Sequence, residues 1–386
     1  MFKINFNKKK KKAQVSIEMI MILAVVIIIA IVVATLFING LNKNTDTTAK
    51  SNNKLDDSVT NFVNDMNTNT VVDTSCPVGY VFVPGSIYYN TLYDGVDGFC
   101  VMKYEAKVDK TGDGIGDDAC NTGYNTWSNT SSTCAYNYGN NKLVSSAQGF
   151  PLTNISESEA KTACSSLGSK YHLITNNERM TITRNLEQVN YNWSSLQVGN
   201  GFLYSGHNDY GPAHALDAST NDNQGYYLTG DSTSTCDGSY TNFLASDDTN
   251  TGRACLGQRR TLKLSNGNVI WDFSGNVREW EDKTINAQDE PSGSGFLSKS
   301  GAWIEFKDIV DKGTLSDSEY RSSNYSWDSN QSIGKLYTDA GDTGLRGFLY
   351  GGDWANGSRA GIFTLILDNA PTVRDYSYGF RCVYVP

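Results

Sequence analysis

From Met19 to Ile38 the chain reads MIMILAVVIIIAIVVATLFI, twenty residues without a charge, and no other stretch approaches it. At a helical rise of ~1.5 Å per residue such a run measures ~30 Å, the depth of one bilayer core. The chain is therefore expected to cross a membrane at most once. Lys3 and Lys8 to Lys12 precede the run with no acidic residue among them. That asymmetry holds the leader in the cytoplasm and sends everything after Ile38 outward. A cleaved secretory signal is the simplest competitor, but its apolar region needs only ~7–15 residues and a small-residue cleavage site behind it. Removing the lysine leader takes the net charge from −9 to −15. A body that acidic repels phosphate, so no nucleic acid is expected as a partner.

The segment joining the lysines to the apolar run, KKKKKAQVSIEM, resembles the class III signal of archaeal type IV pilins. The resemblance implies cleavage by a prepilin peptidase between Ala13 and Gln14, which makes Glu18 the fifth mature residue. It also implies self-assembly with other pilins through this segment, with the membrane holding the subunit before assembly. A lone carboxylate in such a core is costly unless paired, and in this family it is thought to meet the N-terminal amine of a neighbouring subunit. A plain single-pass anchor is the alternative. Further on, Leu55, Val59, Phe62, Val63 and Met66 recur at helical spacing. They predict a stalk helix to about Thr70, interrupted near residues 42–53. The expected division is a cleaved leader (1–13), an apolar helix (14–38), a stalk (39–73) and a head (74–386).

All eight cysteines follow the apolar run: Cys76, Cys100, Cys120, Cys134, Cys164, Cys236, Cys255 and Cys382. An even number on the outer side reads as four disulfides in an oxidising compartment. Eight cysteines allow 105 pairings; the preferred set is Cys76–Cys100, Cys120–Cys134, Cys236–Cys255 and Cys164–Cys382. No C-x-x-C pair occurs, which disfavours a zinc ribbon or thioredoxin-type site. Asn-x-Ser/Thr sequons at Asn129, Asn154, Asn192, Asn324, Asn330 and Asn356 are candidate glycan sites.

Within the head, Ser156-x-x-Glu159 and Thr175-x-x-Glu178 are capping boxes that open two helices, the first stopped by Gly168. Leu262, Leu264, Asn266-Gly267, Val269, Trp271 and Phe273 predict a hairpin with a type I′ turn. Helices early and hairpins late suggest α+β. Seven motifs stand in order: GYVFVPGS, FCVMKYEA, ISESEAKTACSSLG, YHLITNNERMTITRNL, DFSGNVREW, GGDW and GFRCV. Together they resemble the formylglycine-generating (sulfatase-modifying factor) family, whose domain is a variant of the C-type lectin fold. The expected fold class is thus α+β, a long hydrophobic pilin-type helix followed by a disulfide-rich C-type-lectin-like head.

The active enzymes of that family carry a reactive cysteine pair just after GG-x-[WF]. Here GGDW is followed by no cysteine before Cys382. The departure removes the thiolates that would hold a soft metal, and Cys382 is better read as partnered with the first helix. The iron-dependent sulfoxide-synthase relatives need a histidine set from a further helical domain, whereas this chain has only His172, His207 and His214. The head is therefore expected to be non-catalytic, with a membrane-anchored oxidase as the least favoured reading. His207 and His214 with Asp209 and Asp217 make a metal site imaginable, and Ser294 lacks the G-x-S-x-G frame of a hydrolase. Asp272, Asn276, Glu279 and Trp280 are expected to tie strands together. The sequence DKTGDGIGDDAC offers calcium an oxygen-rich loop through Asp109, Thr111, Asp113, Ile115 and Asp117. Its twelfth position is Cys120, so the closing carboxylate is missing unless Asp118 substitutes. Tyr350, Trp354 and Tyr376 are candidates for stacking on an extracellular sugar or protein ligand. Both halves together predict a filament subunit at the cell surface with an adhesive head. A structural or sheath subunit without a ligand is the alternative.

Overall fold

Short apolar runs broken by glycine, asparagine and serine can build only short strands, and the head is made of them. The structure, a computed structural model, describes residues 76–85, 98–117, 142–208, 214–225, 258–293 and 301–386. The chain divides after Val72, and the elements below belong to the unit Asp73–Pro386.

A four-stranded sheet has the order β1 (Tyr80–Pro84), β2 (Gly98–Met102), β16 (Cys382–Tyr384), β5 (Tyr171–Leu173). A six-stranded sheet has the order β10 (Ala302–Ile304), β12 (Leu336–Thr338), β14 (Leu365–Ile366), β13 (Leu345–Tyr350), β8 (Arg278–Asn286), β15 (Tyr378–Phe380). Three two-stranded pieces complete it: β3 (Lys107–Asp109) with β4 (Lys142–Val144), β6 (Thr261–Lys263) with β7 (Val269–Trp271), and β9 (Ser292–Gly293) with β11 (Ile309–Asp311).

Directly paired residues share a face of a sheet. One row across the large sheet runs Trp303, Tyr337, Ile366, Leu349, Trp280 and Phe380. The other runs Ile304, Leu336, Leu365, Tyr350 and Glu279. Every residue of both rows is buried except Trp303 and Tyr337 near one edge. A sheet covered on both faces reads as a nearly continuous apolar run rather than as an alternation. The consequence is that Glu279, which breaks the run, lies inside the core.

The α+β expectation, with a long apolar helix leading a lectin-like head, needs correction. The described part is mostly β-sheet, and its α-helices are α1 (Glu157–Ser165) and α2 (Asn176–Glu187), nine and twelve residues long. Among the described residues no helix is long and apolar enough to cross a membrane. The physical reason lies in the composition: with 36 glycines and abundant Asn, Ser and Thr, helical stretches are soon interrupted. Residues 14–38 and the stalk lie outside the described residues.

Both capping boxes form, with Glu159 accepting from the Ser156 N–H and Glu178 from the Thr175 N–H. Past α1, Gly168 takes φ +139°. The hairpin at 261–271 closes differently from expectation. Gly267 has a positive φ but Asn266 does not, and the Gly267 N–H donates to Leu264 O while Leu264 N–H donates to Asn268 O. That is a type I turn followed by a left-handed glycine, not type I′, which needs positive φ at both central residues. Disulfides join Cys76 to Cys100 and Cys164 to Cys382, two of the four pairings preferred from the sequence. The first ties the segment ahead of β1 to β2, and the second ties α1 to β16. Cys120, Cys134, Cys236 and Cys255 lie outside the described residues.

Candidate functional site

The DFSGNVREW segment enters β8 through a turn in which Asp272, Gly275 and Asn276 all have positive φ. A side chain at Gly275 would come within 2.4 Å of His207 O, so only glycine fits. The turn aims its carboxylates inward at three arginines, two of them about a hundred residues away in the chain. Arg381, from the closing GFRCV motif, donates to Glu279 Oε1 at 2.5 Å, and to the carbonyls of Met102, Lys103, Trp271 and Asp272. Arg179, on α2, donates to Glu279 Oε2 at 2.7 Å and to Phe273 O, with its guanidinium 3.6 Å from the Phe273 ring. Arg260 grips Asp272 through both carboxylate oxygens, at 2.6 and 2.7 Å. Asn276 donates to Glu105 Oε2 and accepts from the Leu216 N–H, and Trp280 Nε1 donates to Ile155 O.

All these side chains are buried, and an ion pair taken out of water holds only when its remaining donors and acceptors are satisfied. For Glu279, Asp272 and Arg381 they are. Glu281, two residues along β8, differs: neither of its carboxylate oxygens has a hydrogen bond, and its nearest cation is Arg179 Nε at 3.7 Å. Burial pushes its pKa well above the usual carboxylate range, and Arg179 offsets that only in part. Burial also raises Glu105, against the pull of Arg381 and the Asn276 amide. The Lys107 ammonium, buried beside it, is lowered to about 8. The cluster therefore clamps α2, the 272–280 turn, β2 and the junction of β15 with β16 together, and its charged groups are turned into the core.

Asp272, Asn276, Glu279 and Trp280 meet in this one cluster. Arg179, Arg260, Arg381, Glu105 and Glu281 were not singled out from the sequence. Arg179, Arg381 and Glu105 sit in the quoted motifs, and unpaired carboxylates in a buried run were the signal for their partners.

The other candidates lie apart. In the 109–117 loop, Asp109 accepts from the N–H groups of Gly112 and Gly114 and from the Thr111 hydroxyl. Burial opposes its charge, but these bonds outweigh it and hold its pKa below the usual range. Asp113 accepts from the Ile115 N–H and Asp117 from the Lys110 N–H. Each of these carboxylates thus accepts at least one hydrogen bond from within its own loop. Among the described residues no group of three or more His, Cys, Asp or Glu side chains is placed to hold a metal ion. His214 Nδ1 donates to Ala215 O, His207 is buried, and Asp209 lies outside the described residues. Tyr350 and Trp354 are core residues, at 0% and 3% exposure, so of the three proposed stacking residues only Tyr376 reaches the surface, where it packs on Trp354. Ala13, Gln14, Glu18 and Ser294 lie outside the described residues, as do Asp118 and Asn129.

No protein-family model matches the sequence, and no curated protein does. Among solved structures, Treponema denticola variable protein 1 is similar at 13% identity and a TM-score of 0.29, covering 75% of this chain and 85% of its own. PvdO from Pseudomonas aeruginosa is similar at 12% identity and a TM-score of 0.26, covering 80% and 92%. Likenesses this distant carry no argument about fold or function.

Proposed function

We propose that the chain is a type IV pilin-like subunit of an archaeal surface filament, with a non-catalytic head displayed outward for adhesion. The observation that carries this reading is the order of parts at the N-terminus: five consecutive lysines, Ala13, Gln14, Glu18 and then twenty uncharged residues. A basic leader cut ahead of an apolar segment that is kept serves assembly, whereas a secretory signal loses its apolar segment. The head supports the non-catalytic part. Among the described residues, the cluster of charged motif residues around Glu279 and Asp272 is buried and committed to arginine and backbone partners. Disulfides on the outer side suit an oxidising compartment. Incubating the full chain in membranes that contain an archaeal prepilin peptidase tests the reading. The expected result is loss of residues 1–13 and a new N-terminus at Gln14, abolished when Glu18 and Ala13 are both replaced. A chain left whole, or cut beyond Ile38, would overturn it.

A further inference from the structure

Five of the six sequons fall within the described residues, and the fold treats them very differently. Asn192 is fully buried: its Nδ2 donates to Leu186 O and Lys263 O, and its Oδ1 accepts from the Lys263 N–H. Asn356 is 8% exposed, with Oδ1 accepting from the Asp353 N–H. Neither has room for a sugar. Asn154 and Asn330 are exposed, but the hydroxyl residue that completes each sequon is not. Ser156 is 4% exposed and its hydroxyl donates to Glu159 in the α1 capping box. Ser332 is 4% exposed in a left-handed turn.

Asn324-Tyr325-Ser326 alone presents both ends of its sequon, on a turn where all three residues are exposed. There the Ser326 N–H and hydroxyl both donate to Asn324 Oδ1, at 3.0 and 2.8 Å, and Nδ2 makes no hydrogen bond. We propose that the folded chain carries an N-linked glycan on Asn324, transferred after folding. The donor is a lipid-linked oligosaccharide: a bond forms between Nδ2 and the anomeric carbon. The bond from that carbon to the lipid phosphate oxygen breaks, the lipid phosphate leaves with the electron pair, and the amide proton passes to a base of the transferase. The inference rests on the surface reading above, because such a donor is used on the outer face of the membrane.

Glycopeptide mass spectrometry of the full chain, sheared from the surface of native cells, tests it together with the N324Q variant. The expected result is glycan mass on the Asn324 peptide, unmodified peptides at Asn154, Asn192, Asn330 and Asn356, and loss of the glycan in N324Q. A bare Asn324 in a chain that begins at Gln14 would overturn the inference and leave the surface reading standing. Glycan on Asn154 or Asn330 would overturn transfer to the folded chain. A chain found only inside the cell with its leader intact would overturn the surface reading, and the inference with it.

Discussion

Glu279 accepts hydrogen bonds from two arginines 202 positions apart, Arg179 and Arg381, and removing its carboxylate strands both guanidinium groups inside the core. Replacement by alanine is expected to destabilise the head by ~3–5 kcal/mol, the usual cost of breaking one partner out of a buried pair. Denaturant titration of the full chain measures it, and a loss below ~1 kcal/mol would mean that the clamp is not energetically important. Glu281 acts in the opposite sense. Its pKa is raised above 4.5 in the folded chain, so the folded form holds a proton that the unfolded form gives up. Stability from this group is fully present below about pH 4.5 and declines as pH rises toward the folded pKa. His172 adds a drop of the same sign. Burial lowers its pKa, but the contact with Glu178 at 2.8 Å outweighs burial and raises it above 6.5. Its contribution is complete below about pH 6.5 and is lost as pH climbs through the raised value. The E281Q variant, uncharged at every pH, is expected to flatten the fall in melting temperature as pH rises above about 4.5. An unchanged slope would show that Glu281 is ionised in the fold.

At the scale of elements, the two disulfides close loops of very different length. Cys164–Cys382 spans 218 residues and Cys76–Cys100 spans 24. Loop-closure entropy assigns about 5 kcal/mol to the first and about 3 kcal/mol to the second. Replacing the first pair by alanines is therefore expected to lower the denaturation midpoint more than replacing the second, and the reverse order would contradict the entropic account. The 109–117 loop predicts something simpler. Among the described residues no three carboxylates are placed together to hold an ion, so added calcium is expected to leave the melting temperature unchanged. A rise of several degrees would show the loop to be an ion site.

What could be read in the sequence at this scale was whatever depends on neighbouring residues. The capping boxes at Ser156 and Thr175 formed because their partners sit three residues away. The hairpin lies where the sequence puts it, but its turn type differs, because Asn-Gly tolerates several conformations and the pairing of Leu264 with Asn268 decides among them. The helix content is lower than the sequence suggests because two capping boxes mark helix starts plainly, whereas the many two- and three-residue strands carry almost no periodicity. The buried cluster was half legible. Its carboxylates stood out in DFSGNVREW, but the arginines opposite them are set by tertiary packing, and nothing local marks Arg179 as buried.

At the scale of the whole molecule, the N-terminal signal is read from the sequence, while the motif residues Asp272, Glu279, Arg179 and Arg381 are buried in the head. A net charge of −15 after removal of the leader leaves an acidic body, on which the glycan proposed at Asn324 is the further consequence of a surface location. The most direct test is to shear filaments from native cells and read the mature N-terminus of this chain by mass spectrometry. A start at Gln14 in the filament fraction is the result predicted. An intact leader, or a start beyond Ile38 with the chain in the medium, would contradict the assignment to a filament.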